Sequence, residues 1–237
     1  MNKMRKAEIT KKAILDAAEL LFVEKGHENA SMRDITQMAN VNLAAVNYHF
    51  GSKDELIIAV MKRRLGAINN ERLRLLDELE AKANGRPLKP SLIVNAFFGS
   101  LLEHAGDEHH DGGIFLRLLE QTMVNPSGFI SAIVAKENEI VFERYKQAFF
   151  KALPGVPEEE IIWRFQFMLG ATSYAISGVK ALLEVTDHQP INAAKLYDHY
   201  DNKLKPRLLS FILGGLRAPL PRFPDTHQTN QLSAEPH

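Results

Sequence analysis

Cysteine is absent from all 237 residues. That excludes disulfide scaffolds, thiolate nucleophiles, thiol redox sensing and cysteine-ligated zinc, and it fits a reducing cytoplasm. Net charge is absent too: 29 Lys+Arg balance 29 Asp+Glu. The chain as a whole is neither a basic nucleic-acid coat nor an acidic solvating tail. Long apolar runs are also missing. The uncharged stretch 165–179 holds 15 residues, several of them polar, short of the ~20 apolar residues a spanning helix needs. No membrane span is expected. The start, MNKMRKAEITKKAILDAAELLF, is basic as a signal peptide would be, but Asp16 and Glu19 interrupt the apolar stretch it would require. It reads as mature protein.

What is present is 45% hydrophobic residues, enough for one sizeable core or two modest ones, which excludes disorder throughout. The balanced charge hides an asymmetry. Residues 1–64 carry 11 Lys+Arg against 8 Asp+Glu, and the remaining 173 carry 18 against 21. A basic first part that meets a polyanion, joined to a slightly acidic part with another task, fits that division.

Apolar spacing is helical nearly everywhere, so the expected fold class is all-α. In the first helix Ile14, Ala17, Ala18, Leu21 and Phe22 share a face, and Lys25-Gly26 ends it at a left-handed cap position. Ser31 and Asp34 form a capping box for a short second helix, with Ile35 and Met38 on its buried side. Asn42 caps a third helix, with Leu43, Val46 and Phe50 on one stripe and Gly51 at its end. Ser52 and Glu55 open a longer helix that starts with Leu56, Ile57, Val60 and Met61. Further helical patterns cover 68–82, 91–104, 114–123, 129–153, 158–183 and 193–213. Breaks at Asn84-Gly85-Arg86-Pro87, Asp111-Gly112-Gly113, Asn125-Pro126-Ser127-Gly128 and Leu153-Pro154-Gly155 separate them. The expected domains are 1–65, a helix-turn-helix DNA-binding domain; 66–216, a helical regulatory and dimerisation domain; and 217–237, a proline-rich tail with little to bury.

Two short helices joined by Asn40-Val41-Asn42, packed on a preceding helix, have the layout of a helix-turn-helix, whose second helix lies in the major groove. The outward residues of that helix suit the task. Ala44 and Ala45 allow close approach to base edges and touch thymine methyls, Asn47 donates and accepts at adenine, and Tyr48 and His49 bond phosphate oxygens. Arg33 and Lys53 add charge from the flanking helices, and Ser31, Asn42 and Leu43 complete the expected DNA-facing set. Phe50 belongs to the small core instead.

The segment SMRDITQMANVNLAAVNYHFGSKDEL, residues 31–56, resembles the DNA-binding signature of the TetR-type transcriptional regulators. The resemblance rests on Ala39-Asn40-Val41, Asn47-Tyr48-His49-Phe50 and Ser52-Lys53-Asp54-Glu55-Leu56, and covers roughly residues 8–65. Asn40 stands where the family usually has a turn glycine, Asn42 where it has serine or threonine, and Asn47 where a first tyrosine is frequent. The run from Val41 to Lys53 is similar to a branch that includes regulators of fatty-acid degradation responding to long-chain fatty acids or their CoA esters.

The resemblance implies a cytoplasmic homodimer on a near-palindromic double-stranded operator, a C-terminal domain that dimerises through its last two helices, and a pocket for a small hydrophobic inducer, with no cofactor and no catalytic residue. The dimer set is Trp163, Phe167, Gly170, Ala171, Tyr174, Leu204, Leu208 and Phe211: apolar stripes with small residues that let helices approach closely. The same stripes would equally serve an intramolecular core, since patterning does not separate core from interface. The pocket set is Phe97, Leu101, Phe115, Arg117, Leu119, Met123 and Phe142, with Phe98, Leu102, Phe149 and Met168 in the wider apolar group. Arg117 would meet a ligand head group. His104-Ala-Gly-Asp107-Glu108-His109-His110-Asp111 crowds imidazoles and carboxylates, but without metal-ligand spacing, and no metal is expected. Two other readings stay open at this level: a helical enzyme using that acidic and histidine loop, and a DNA-binding adaptor without a ligand.

Overall fold

The computed structural model describes residues 3–106, 128–177 and 204–222, and every regular element among them is helical. In chain order these are α1 (Lys3–Lys25), α2 (Met32–Met38), α3 (Leu43–Phe50), α4 (Lys53–Ala83) and α5 (Pro90–Val94). A π-helical turn (Asn95–Gly99) leads directly into α6 (Ser100–Gly106). Then come α7 (Gly128–Ala152), α8 (Glu158–Ser177) and α9 (Lys205–Leu216). The helix expected over 114–123 and the tail from 223 onward lie outside the described residues.

Local chemistry sets the first boundaries. Gly26, at φ +78°, terminates α1. Ser31 Oγ accepts the Asp34 amide at 3.1 Å while the Asp34 carboxylate accepts the Ser31 amide at 3.3 Å, the capping box expected for α2. Asn42 Oδ1 accepts the Ala45 amide at 2.8 Å and starts α3. Between them Asn40 sits at φ +52°, which explains the asparagine where the family prefers glycine: it tolerates the left-handed region better than other side chains. Asn40→Ala is expected to cost about 1–2 kcal/mol, while Asn40→Gly keeps wild-type stability; urea denaturation of both variants checks this.

The first core gathers Ile14, Ala18, Leu21 and Phe22 of α1, Ile35 of α2, Val46 and Phe50 of α3, and Leu56, Ile57, Val60 and Met61 of α4. Two expected members are absent. Met38, placed on the buried side of α2, is 46% exposed, and Thr36 is buried in its stead. Leu43, assigned to the Val46–Phe50 stripe, is 51% exposed because the first turn of α3 projects past the core.

The helix beginning at Ser52 and the one expected over 68–82 are a single 31-residue element, α4, about 46 Å long. Gly66 does not break it. One glycine costs a helix interior only about 1 kcal/mol, and packing on both sides outweighs that: Leu65 and Ile68 join the first core and Leu76 the second. The second core packs Leu76 with Phe97, Phe98, Tyr145, Phe149, Ile161, Met168, Leu208 and Ile212. α4 thus belongs to both halves, and its packing partners change between Ile68 and Leu76.

Candidate nucleic-acid interface and apolar cleft

α3 presents its outer face to solvent. Ala44 and Asn47 are exposed, Ala45 and His49 half-buried, and Tyr48 is 84% exposed with its ring edge-on to His49 at 5.2 Å. An aromatic residue this exposed adds little to the chain's own core. Arg33 stands exposed on α2. Ser31 and Asn42 direct their side-chain oxygens to helix amides, so any contact with a partner shares those caps.

Lys53 differs from its sequence assignment. Its ammonium donates to the carbonyls of His27 and Glu28, both at 3.0 Å, stapling the start of α4 to the turn after α1. One of its three protons is left for an outside acceptor. Lys53→Ala is therefore expected to loosen the α1–α2 turn as well as to remove a charge from this face.

α4 and α1 are locked by ions. The Arg63 guanidinium donates to Asp16 and Glu19, both at 2.6 Å, and Arg64 donates to the second Glu19 oxygen at 2.6 Å. The Glu19 side chain is 2% exposed. Further along, Asn69 donates to the Glu137 carbonyl at 2.9 Å, Tyr145 Oη donates to the Arg72 carbonyl at 2.8 Å, and Arg144 pairs with Asp77 and Glu80. Helix α7 is thereby bonded to α4 along its length.

Between α7 and α8 lies a cleft of 630 Å³, within the usual range for small-molecule sites. Its floor is Phe142, Phe149, Ile161, Phe165 and Leu169; its rim is Lys136, Glu139, Glu143, Lys146 and Gln166. Of the expected pocket residues, Phe142 lines this cleft. Phe97 is fully buried behind it, 6.0 Å from Phe142 and 5.1 Å from Phe165 between ring centres. Leu101 does not reach the cleft; it packs with Ile133 in the first core. Phe115, Arg117, Leu119 and Met123 lie outside the described residues, as does the 107–111 part of the histidine and acidic loop. No cluster of three metal-ligating side chains occurs among the described residues. Sequence reasoning missed Ile161, Phe165 and Leu169 as cleft residues. Their signal was the near-four-residue spacing of 161, 165 and 169 opposite 135, 139, 142, 146 and 149, a pattern that also describes plain core.

The expected interface residues divide. Trp163 (49%), Phe167 (64%) and Tyr174 (58%) stand out from α8 and Phe211 (70%) from α9. Gly170 is exposed and Ala171 half-buried beside them. Leu208 is the exception: it is buried in the chain's own core with Ile212, because α9 turns that face inward, and Leu204 packs partly against the same core. On α8, Arg164 is buried, paired with Glu160 at 2.8 Å and donating to the Leu216 carbonyl at 2.7 Å, so it caps α9.

Two family models match the chain. One, described as bacterial regulatory proteins of the tetR family, matches residues 14–60. The other, a tetracyclin repressor-like C-terminal domain, matches residues 95–215. The chain is similar to the A-factor receptor protein of Streptomyces griseus, 28% identical over 121 residues, 49% of this chain and 40% of the relative. It is also similar to an HTH-type transcriptional repressor of Mycobacterium tuberculosis, 49% identical over 49 residues, 21% of this chain and 26% of the relative. The matched segments span less than half the length of these relatives. In fold it is similar to the fatty acid degradation regulator of Bacillus halodurans, at TM-score 0.59 and 13% identity over 89% of this chain and 97% of that one. A TetR transcriptional regulator from Legionella pneumophila follows, at TM-score 0.55 and 21% identity over 85% and 94%.

Proposed function

Since the chain belongs to the TetR family of bacterial regulatory proteins, and is a DNA-binding transcriptional regulator and not an enzyme, we propose that it is a cytoplasmic homodimeric repressor. It sits on a near-palindromic operator and is released by a small hydrophobic effector. Residues 1–65 are the DNA-binding domain in this reading, and 66–216 the regulatory and dimerisation domain. Among the described residues no helix is long and apolar enough to cross a membrane.

The observation that carries the reading is the continuity of α4. Its first residues follow the recognition helix, and its second half is bonded through Asn69, Arg72 and Asp77 to α7, one wall of the cleft. A ligand wedged between α7 and α8 moves a helix that is rigidly tied, by Arg63 and Arg64, to the DNA-reading unit. The ligand shifts the equilibrium only by its differential affinity for the operator-competent and released states, typically ~1–3 kcal/mol.

DNA reading is assigned to Arg33, Leu43, Ala44, Ala45, Asn47, Tyr48 and His49, with Ser31, Asn42 and Lys53 serving the scaffold and the backbone together. Asn47→Ala is expected to relax preference at one base position by ~1–3 kcal/mol, and Tyr48→Phe to weaken all sequences alike. Competition binding against a panel of single-base operator variants reads both; an Asn47→Ala profile identical to wild type would remove its readout role.

The effector reading is tested by filling the cleft. A neutral, apolar fluorophore such as Nile red is expected to bind the wild-type chain and to lower operator affinity by about 5–150-fold at saturation. Leu169→Trp, which occupies the floor, is expected to abolish both effects. Operator release by the probe that survives Leu169→Trp would place the effector elsewhere.

A further inference from the structure

Helix α4 is fastened to its neighbours on both sides of Gly66. Before it, Arg63 and Arg64 bind Asp16 and Glu19 of α1. After it, Asn69 donates to the Glu137 carbonyl, the Arg72 guanidinium donates to the Phe97 carbonyl at 3.0 Å, and the Arg72 carbonyl accepts Tyr145 Oη. The first set belongs to the DNA-reading unit, the second to α7 and the second core. Packing does not call for a glycine between them. A methyl group at Gly66 would meet no atom outside its own helical turn within 4 Å, so alanine fits there and would strengthen the helix. Glycine supplies backbone freedom instead, since without a Cβ it accepts a wider range of φ and ψ.

Glu137 of α7 spans that point. Its carboxylate lies 3.8 Å from the Lys62 ammonium, on the near side of Gly66, and its carbonyl accepts Asn69 on the far side. One residue thus holds α4 on both sides of the glycine, as a splint holds a joint. Its neighbours reinforce the contact: Ile133 is buried in the first core with Leu65 and Ile68, and Val134 packs against the same core. The same turns of α7 border the cleft. Ala135 and Glu139 line it, and at about 100° per residue they point nearly opposite to Ile133 and Glu137. Whatever occupies the cleft beside Ala135 bears on the splint from behind.

We infer that α4 is jointed at Gly66 and that the first turns of α7, through Glu137, set the joint. With the cleft empty the splint fixes the angle between the two halves of α4 and holds the DNA-reading unit ready for the operator. An occupant displaces these turns, Glu137 releases Lys62, and the DNA-reading unit tilts about Gly66 with its ion lock to α1 intact. This rests on the effector reading above and adds the place at which α4 yields. The splint is weak enough to open: the Lys62 side chain is 55% exposed, and exposed ion pairs hold little. A hinge of this kind turns a small displacement at one wall into a change of aim. Aim matters to a reader that must meet the major groove at two places.

Hydrogen exchange on the full-length chain tests the joint without an effector. The amides of 67–70, whose helical bonds span Gly66, are expected to exchange about fivefold faster than those of 60–63 or 74–77, the factor by which one interior glycine weakens a helix. Gly66→Ala is expected to remove that difference. Operator binding reads the consequence. Glu137→Ala is expected to lower operator affinity about twofold to fivefold with no dye present, and adding Gly66→Ala to restore it. Nile red, which releases the wild-type chain by about 5–150-fold, is expected to bind Gly66→Ala and to release it less than about twofold. A substitution that merely stabilised the chain would leave that release ratio unchanged. Even exchange along α4 in the wild type, or undiminished release of Gly66→Ala, would overturn the joint. Fast exchange at 67–70 with the Glu137→Ala loss restored by Gly66→Ala, in a wild-type chain that ignores Nile red, would uphold the joint and overturn the effector reading.

Discussion

Replacing Phe167 and Phe211 together by aspartate is expected to yield a folded monomer whose operator affinity is lower by about 10²–10⁴, the gain that linking two half-site contacts supplies. The reasoning starts from exposure. Phe167 is 64% and Phe211 70% exposed in the single chain, so removing them takes little from its core, and surface substitutions usually change stability by less than about 0.5 kcal/mol. On a two-fold interface each position recurs on both copies, and each aspartate there becomes a buried, unpaired charge repeated by symmetry. Trp163, stacked on Phe167 at 5.8 Å between ring centres, and Tyr174 extend the patch along α8. Sedimentation velocity reads the mass and circular dichroism the fold. Leu208→Asp is the contrast: Leu208 is buried in the chain's own core, so that variant is expected to unfold the chain. A double variant that remained dimeric would place the interface away from α8 and α9.

Glu19→Ala is expected to destabilise the chain by about 3–5 kcal/mol, the usual consequence of removing one member of a buried ion pair. Its carboxylate is almost fully buried and receives both Arg63 and Arg64, whose side chains are 27% and 22% exposed. Without it two half-buried guanidiniums lose their principal acceptor, and only Asp16 remains for Arg63. Asp16 adds a pH dependence. Although desolvation opposes it, bonds from Lys12 and Arg63 hold its carboxyl below the ordinary carboxylate value. Its stabilisation is present above that ordinary value and lost as pH falls through the lowered one. The effect is small because Asp16 is 43% exposed. Urea denaturation at neutral pH measures the Glu19→Ala difference; a loss under about 1 kcal/mol would mean that α1 is held by packing alone.

The helix-turn-helix was legible because its boundaries rest on local chemistry. Ser31, Asn42, Gly26 and Gly51 each act within four residues of themselves, so spacing alone reveals them. The continuity of α4 was not legible. It depends on α1 and α7 packing against the helix on either side of Gly66, contacts between residues far apart in sequence. Leu208 and Phe211 show the same limit: both belong to one apolar stripe, and only the direction in which α9 docks decides that the first is core and the second surface. The burial of Arg72 on the Phe97 ring was not legible for a related reason. A lone arginine on an amphipathic helix reads as a solvated face until the structure shows that its neighbours Asp77, Glu80 and Glu71 pair with other arginines.

Cooperative reading of DNA by two copies of the recognition helix leaves its mark on the sequences that the chain selects. Selection of binding sites from random duplex DNA by the purified full-length chain tests it most directly. The expected result is enrichment of an inverted repeat whose half-sites are centred one helical turn, about 34–36 Å, or a multiple of it apart. For Phe167→Asp/Phe211→Asp the repeat is expected to be lost, with the half-site preference retained. Enrichment of a single unrepeated site by the wild-type chain, or no sequence enrichment, would contradict it.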